Sequence, residues 1–298
     1  MVAIIRTEGL CRTFGRLRAV QDLALDVNEG DVYGFLGVNG AGKTTTIRML
    51  LGLIRPTGGR VELFGLEARA HFIDVMRRIG ALVELPAYYP HLSARNNLEI
   101  VRLATGGVPE ARIAETLEQV GLGARMDDAV RTYSQGMRQR LGIAMALLPR
   151  PRLVILDEPT NGLDPQGVNH VRSLILDLNR RDGVSFLISS HLLHEIEITC
   201  NRVGIIREGR LLVQDTVQRL LAQTSGAVRI EADKPEEAAA FLRGLDWVKG
   251  VEAADGVVRA QADPARHAEL NAALVGRGLR VSAFTPQRMT LEEYFLSR

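Results

Sequence analysis

The sequence predicts an α/β protein built on a mostly parallel sheet, followed by a smaller α+β unit. From Val2 to about Leu220, apolar runs typical of buried strands alternate with helical patterns, which is the usual sign of βαβ units. Composition then loosens across AQTSGA, residues 222–227, and a second series of elements begins. The 298 residues also suffice for two domains of ordinary size. We therefore expect one domain over residues 1–221 and another over residues 227–298.

Charge and hydropathy narrow the class of protein. Basic and acidic residues nearly cancel, 37 against 35, and no run of like charges is typical of a nucleic-acid arm, so we expect no direct nucleic-acid binding. The longest uncharged run that we find, residues 183–194, is well short of the roughly 18 apolar residues of a membrane span. Arg6 and Glu8 interrupt the N-terminus before the apolar core of a signal peptide develops. We therefore expect the protein to stay in the cytoplasm.

The first domain contains four apolar runs that predict strands, namely VYGFL, LVILD, SFLISS and VGII. Between Glu84 and Leu148 the pattern is mainly helical, with the segments ARNNLEIVRLA, PEARIAETLEQVGL and QGMRQRL. This placement predicts a helical subdomain, about residues 84–150, inserted between two strands of the main sheet.

The second domain reads as strand, helix, strand, strand, helix, strand, a series typical of a ferredoxin-like βαββαβ unit. Its segments are VRIEA, PEEAAAFLRGL, WVKGVEA, VVRAQA, PARHAELNAALVG and LRVSAF, with a DG turn between the two middle strands. Pro235 and Pro264 are placed at the predicted helix starts, where proline is common. A closing helix over TLEEYFLSR, residues 290–298, is also expected.

A glycine-rich loop predicts a phosphate site. GVNGAGKTTTIRML, residues 37–50, follows a strand and opens a helix, which is the context that a Walker A loop requires. Lys43 is one of only three lysines in the chain, and we expect it to reach the β and γ oxygens of a nucleotide, with the Thr44 hydroxyl on Mg²⁺. The predicted nucleotide-binding residues here are Gly37, Val38, Asn39, Gly40, Ala41, Gly42, Lys43, Thr44 and Thr45.

Two adjacent carboxylates follow the strand LVILD. Asp157 is expected on the Mg²⁺ shell and Glu158 beside the attacking water. A solvated strand end is the structural alternative.

A second helix start also suits an anion. In YSQGMRQRLGIAMALL, residues 133–148, a short polar lead runs into apolar residues at helical spacing, and Ser134 is placed to cap the helix. Free N–H groups and the macrodipole at such a start favour phosphate. One chain therefore has two helix starts suited to phosphate.

The ordered motifs GVNGAGKTT, YSQGM, LVILDEP, NGLDP and SSH resemble the nucleotide-binding subunit of ABC transporters, over about residues 3–220. The resemblance implies the fold of a P-loop NTPase and implies ATP and Mg²⁺ as its ligands. In that family the signature motif closes over the γ-phosphate held by the Walker A loop of a second subunit. Ser134, Gln135, Gly136 and Met137 are then expected to serve the ATP of a partner chain.

The resemblance implies further roles. Phe14 stands where an aromatic stacks on adenine, with a core aromatic as the alternative. Asp164 of NGLDP is expected at the dimer interface, with a turn carboxylate as the alternative. His191 is expected to contact the γ-phosphate and hold the attacking water as a second catalytic residue, with a structural histidine as the alternative. Val38 replaces a frequent proline. Glu84 occupies the position of a usual glutamine and is expected as a Mg²⁺ ligand, with a structural acid as the alternative.

The stretch LPAYYPHLS, residues 85–93, clusters aromatic and proline residues. In the family this region lies beside the groove that receives a coupling helix from the membrane subunit, and an apolar surface suits such a contact. Ordinary packing within the helical subdomain is the alternative.

Taken together, the resemblance implies the ATP-hydrolysing subunit of an exporter, working as a homodimer or paired subunit around two ATP molecules. It would bind integral membrane permease subunits at the cytoplasmic face of the membrane. The C-terminal unit and the Glu84 loop resemble drug and antibiotic-resistance exporters more than importers. One alternative is a soluble ABC-type ATPase acting on ribosomes or nucleic acid, but such relatives usually carry two ATPase halves or a long coiled coil. A protein that binds ATP without turnover conflicts with Glu158 and His191.

Overall fold

The computed structural model describes residues 3–84, 86–223 and 226–287. The chain divides into two compact units, residues 1–216 and 217–298. The division precedes the expected boundary at residue 221 because a short helix, Val217–Gln223, is grouped with the second unit. Among the described residues, no helix is long and apolar enough to cross a membrane.

The first unit contains two sheets and seven α-helices within its described residues. Its strands are β1 Ala3–Phe14, β2 Leu17–Leu23, β3 Asp26–Asn28, β4 Val32–Leu36, β5 Gly58–Leu63, β6 Leu66–Glu67, β7 Ile79–Leu82, β8 Leu153–Asp157, β9 Ser185–Ser190, β10 Arg202–Arg207 and β11 Arg210–Thr216. Its helices are α1 Lys43–Leu50, α2 Phe72–Met76, α3 Ala94–Thr105, α4 Ala111–Gln119, α5 Gln135–Leu147, α6 Pro165–Asp182 and α7 Leu193–Thr199, with 3-10 turns at Gly123–Arg125 and Val130–Thr132.

The main sheet has six strands in the order β11-β10-β4-β9-β8-β7. All neighbours are parallel except β11, which runs antiparallel to β10. Strands β4, β8 and β9 are buried along their whole length, which explains why the sequence shows them as mainly apolar runs. The predicted α/β class with a mostly parallel sheet is confirmed.

A second sheet in the first unit is antiparallel, with the order β2-β1-β5-β6 and with β3 paired to β1. One cluster of buried side chains joins this sheet to the main sheet and to α1, including Ile5, Leu63, Phe35, Ile47 and Leu187. Burial of this apolar surface holds the start of α1 in place beneath the end of β4.

The helical segment lies between β7 and β8, as the sequence predicts, and consists of α3, α4 and α5. Ser93 caps α3 and Ser134 caps α5, because each side chain accepts a hydrogen bond from a backbone N–H three residues further on. Helix α5 packs directly on β7, since a Cβ added to Gly80 would lie 2.1 Å from the carbonyl oxygen of Ala146. This close approach fixes α5 on the main sheet.

The second unit begins with α8 Val217–Gln223 and continues with β12 Ala227–Ala232, α9 Pro235–Arg243, β13 Lys249–Ala254, β14 Val257–Gln261, α10 His267–Gly276 and β15 Val281–Gln287. The strands form one antiparallel sheet in the order β13-β14-β12-β15. Helix α10 starts later than Pro264 because residues 264–266 form a 3-10 turn, capped by the Asp263 side chain. The expected closing helix over residues 290–298 lies outside the described residues.

Candidate functional site

The phosphate loop joins β4 to α1, where the sequence predicts it. Gly42 has a φ of 110°, and a Cβ added there would lie 2.6 Å from the carbonyl oxygen of Ala19, so only glycine fits. The Lys43 side chain is 6% exposed. Its Nζ donates to the carbonyl oxygens of Gly37 at 2.6 Å and Val38 at 3.4 Å. The backbone of the loop therefore surrounds the buried side chain of Lys43.

The carboxyl ends of three strands meet beside this loop. Leu36 of β4 is paired in register with Ser190 of β9, and Asp157 of β8 is paired with Ser189. Parallel strands present their carboxyl ends at one edge of the sheet, where ligands of α/β proteins usually bind. This edge therefore collects the phosphate loop, the paired acids and the residues that follow β9.

Asp157 stands between two hydroxyl groups. Its Oδ2 accepts a hydrogen bond from Thr44 Oγ1 at 2.8 Å, and its Oδ1 accepts one from Ser189 Oγ at 2.5 Å. A hydroxyl next to a carboxylate is an oxygen ligand set that suits Mg²⁺. Within the described residues, no group of three or more His, Cys, Asp or Glu side chains is placed to hold a metal ion, so a Mg²⁺ ion at this position would need phosphate and water oxygens as further ligands.

Glu158 is held in an unusual backbone conformation. Its φ is 49°, in the left-handed region, and its N–H donates to Ser189 Oγ at 2.9 Å and to the Ser189 carbonyl oxygen at 3.2 Å. Its Oε1 lies 3.1 Å from Lys43 Nζ and its Oε2 lies 2.8 Å from His191 Nδ1. Strain of this kind is typical of functional sites. Of the three predicted residues, Glu158 therefore contacts both Lys43 and His191.

Sequence reasoning missed Ser189, although the signal was present. SFLISS, predicted as a buried strand, has serines at both ends, and a buried hydroxyl needs a partner. Ser189 finds two partners, the Asp157 carboxylate and the Glu158 N–H. It therefore orients both predicted acids.

A cleft of about 700 Å³ opens over the phosphate loop, within the usual size range of ligand pockets. Phe14 lines it and is 44% exposed, with the Arg12 guanidinium 4.3 Å from the ring centroid. This exposure is unlike that of a core aromatic. Arg16 and Arg18, which the sequence reasoning did not single out, also line the cleft. The cleft thus combines an aromatic ring with basic side chains.

The signature residues, 134–137, lie on the surface outside the cleft. Ser134 and Gln135 are exposed, and of the described residues that line the cleft none comes from positions 134–137. Gly162 of the NGLDP loop approaches Gln135 so closely that an added Cβ would lie 2.5 Å from its Nε2. Asp164 is exposed and caps α6, accepting from Gly167 N–H at 3.0 Å. The signature and the NGLDP loop therefore share one surface.

Glu84 is not in contact with the predicted metal ligands. Its side chain is 59% exposed and its Oε1 lies 2.5 Å from Arg48 Nη2 on α1. Among the described residues, no hydrogen bond or ion pair joins it to Thr44 or Asp157. The metal role therefore stays a prediction and would require the side chain to turn away from Arg48.

Phosphoanhydride hydrolysis requires a backbone cradle for phosphate, oxygen ligands for Mg²⁺ and a group that orients the attacking water. The phosphate loop, the Thr44 hydroxyl with the Asp157 carboxylate, and Glu158 have the chemistry for these three tasks, at one edge of a parallel sheet. The fold and the site therefore define a P-loop ATPase.

Comparison with known proteins gives the family. Residues 20–161 match the family described as ABC transporter. The chain is 41% identical, over 297 residues, to the bacitracin transport ATP-binding protein BcrA of Bacillus licheniformis, with 99% of this chain and 97% of that protein covered. It is 35% identical to BcrA of Enterococcus faecalis over 295 residues, covering 99% and 96%. The solved structure of cbiO1 from Clostridium perfringens, part of the ABC transporter complex cbiONQ, has a TM-score of 0.68 at 25% identity, covering 75% of this chain and 92% of that chain. The chain belongs to the ATP-binding proteins of ABC transporters.

The role of Glu84 can be tested through the Mg²⁺ dependence of ATP hydrolysis. Glu84→Gln keeps an oxygen ligand and should leave turnover nearly intact, whereas Glu84→Ala should raise the Mg²⁺ concentration for half-maximal rate by about tenfold. Glu29→Ala, which breaks another exposed ion pair with an arginine, is the control. Equal Mg²⁺ dependence in the parent and the alanine variant would show that Glu84 only pairs with Arg48.

Proposed function

We propose that this ATPase is the nucleotide-binding subunit of an ABC exporter for antibiotics, working with separate membrane subunits at the cytoplasmic face of the membrane. The named bacitracin transport proteins support this substrate class because the similarity extends along 99% of the chain, including residues beyond 216. The observation that carries the ATPase role is the contact of Glu158 with both Lys43 and His191.

An action on ribosomes or nucleic acid is not favoured. The formal net charge is +2 and the charged residues of both signs are interspersed, whereas nucleic-acid binding draws on clustered basic residues. The similar proteins named above are transport proteins.

Each residue of the cleft has a separate role in ATP hydrolysis. Lys43 and the N–H groups of the phosphate loop bind the β and γ phosphates. Thr44 and Asp157 would hold Mg²⁺, which when bound offsets the charge that develops on the phosphate oxygens. Glu158 is the general base, since its carboxylate lines the cleft, with Oε1 3.1 Å from Lys43 Nζ and Oε2 2.8 Å from His191 Nδ1. His191 holds the Glu158 carboxylate through Oε2 and would contact the γ-phosphate of bound ATP.

The general-base role predicts the behaviour of Glu158→Gln. This variant keeps size and hydrogen bonding but cannot take a proton, so kcat should fall by about 10² to 10⁴ while ATP still binds. Lys43→Ala should instead weaken ATP binding itself, which labelled ATP would measure. In cells that contain the membrane subunits, both variants should lose tolerance to the exported antibiotic. Turnover of Glu158→Gln within about tenfold of the parent would contradict the assignment.

The two helix starts suited to phosphate support a shared site. The start of α1 has its own lysine and Mg²⁺-suited hydroxyl, whereas the start of α5 offers the Ser134 hydroxyl and backbone N–H groups without a lysine. Because α5 opens on the surface shared with Asp164, away from the cleft of its own chain, we propose that it completes the ATP site of a partner chain. Each homodimer then contains two such composite sites.

Mixed dimers can distinguish a shared site from a site within one chain. Ser134→Arg blocks the signature and Lys43→Ala disables the phosphate loop, so neither homodimer has an intact site. In the mixed dimer, the phosphate loop of the Ser134→Arg chain faces the unaltered signature of the Lys43→Ala chain. Mixing should therefore restore ATP-driven dimer closure at one site, measured by chromatography or scattering. Verified mixed dimers that fail to close at saturating ATP would refute the shared site.

An apolar groove of about 510 Å³ is the proposed contact with the membrane subunits. The described residues that line it carry no charged side chain; they are Leu51, Leu53, Phe72, Met76, Ile79, Ala81, Leu82, Val83, Pro86, Ala87, Gly142 and Met145. Of the predicted cluster in residues 85–93, Pro86 lies in the groove, while Tyr89 is 52% exposed and stacks edge-on with His91. An apolar groove suits the apolar face of a short helix.

Charge introduced into the groove should uncouple transport from hydrolysis. Leu53 is 63% exposed, so Leu53→Arg should leave the ATPase rate of the isolated chain within about twofold and reduce export by tenfold or more, because burying an unpaired charge is costly. Leu212→Arg is the matched control, since Leu212 is 45% exposed on β11, at the opposite edge of the sheet from β7. Normal export with Leu53→Arg would show that the groove is not the contact.

A further inference from the structure

A side-chain hydrogen bond joins the two segments that follow the catalytic strands. Thr160, two residues after Glu158, donates through Oγ1 to Oε2 of Glu195, which lies four residues after His191 on α7. Both side chains belong to half-buried residues. The bond thus links the loop after β8 to the helix after β9.

The loop that Thr160 anchors is compact and runs from Glu158 to Asp164. Asn161 N–H donates to the Glu158 carbonyl oxygen at 3.1 Å, and Leu163 N–H donates to the Thr160 carbonyl oxygen at 3.2 Å. The loop ends at Asp164, on the surface shared with the signature residues. It begins at Glu158, whose left-handed backbone persists only when its surroundings enforce it.

We propose that Glu195 is a positioning residue, which acts through Thr160 to hold the loop from Glu158 to Asp164 against the helix that follows His191. His191 Nδ1 already contacts the Glu158 carboxylate at 2.8 Å. The Thr160 to Glu195 bond supplies a second attachment between the same two segments. With both in place, the base, the histidine and the interface loop keep one relative geometry, so a displacement at Asp164 reaches Glu158. This inference rests on ATP hydrolysis alone and does not depend on export.

If Glu195 only stabilised α7, different properties of Glu195 and Thr160 would matter. Glu195 lies in the first turn of α7, and the N-cap of α7, Leu192, provides no side-chain cap, so a negative charge there would favour the helix macrodipole. In that case the charge of Glu195 matters and Thr160 does not. In the positioning role, the hydroxyl donor and an oxygen acceptor matter, and the charge does not.

Five variants of the full chain separate these roles: Thr160→Val, Thr160→Ser, Glu195→Gln, Glu195→Ala and the double variant Thr160→Val with Glu195→Ala. We expect Thr160→Val and Glu195→Ala each to lower kcat by about tenfold, with the KM for ATP within about twofold because Lys43 and the phosphate loop are untouched. Thr160→Ser and Glu195→Gln keep the donor and the acceptor and should retain most of kcat. The kcat of the double variant should be no lower than that of the less active single variant.

Thr116→Val is the matched control for loss of a hydroxyl. Thr116 is buried on α4, its Oγ1 donates to the Arg112 carbonyl oxygen at 2.7 Å, and it lies outside the cleft, so kcat should not change. Melting temperatures of all variants measure any general loss of stability. Additive losses in the double variant, an unchanged kcat in Thr160→Val, or a loss in Glu195→Gln equal to that in Glu195→Ala would each overturn the positioning role. A parent chain that fails to hydrolyse ATP would instead refute the ATPase role.

Discussion

The buried ammonium group of Lys43 constrains the catalytic half of this protein. A charge with so little contact with water is costly unless it is paired and hydrogen-bonded. The carbonyl oxygens of Gly37 and Val38 provide hydrogen bonds, and the Glu158 carboxylate provides the opposite charge. These groups come from the end of β4 and the end of β8. Lys43 can therefore be buried only if the ends of β4 and β8 lie next to each other. The same arrangement forms the candidate phosphate site.

The register of β8 against β9 provides that placement. Ser189 is paired with Asp157, and its hydroxyl and carbonyl groups contact Asp157 and the Glu158 backbone. A slip of one residue would turn each side chain to the other face of the sheet and remove these bonds. The interior of the strands is apolar and uniformly buried, so the polar groups at their carboxyl ends contribute specificity that apolar packing alone does not supply.

Helix α5 connects the two surfaces to which a function is assigned. Its first turn carries the signature residues, while Gly142 and Met145 further along line the apolar groove. The helix is anchored on β7 by the close approach of Gly80 to Ala146. Because a helix of 13 residues moves as a rigid element, a displacement at the groove also moves Ser134. Under the proposed function, α5 thus connects the groove for a membrane subunit with the residues that would contact the ATP of a partner chain.

The sequence by itself determined the class of fold and predicted the candidate site residues, because both depend on local patterns. The mainly apolar runs indicated buried parallel strands, the spacing around Lys43 indicated a phosphate loop, and Ser134 indicated a helix cap. Local sequence does not specify which side chains meet across the sheet. Only the tertiary structure decided that Ser189 orients both acids, that Glu84 pairs with Arg48, and that Thr160 contacts Glu195. Each of these contacts joins residues more than thirty positions apart, so it follows from strand order and register, which no short stretch of sequence encodes.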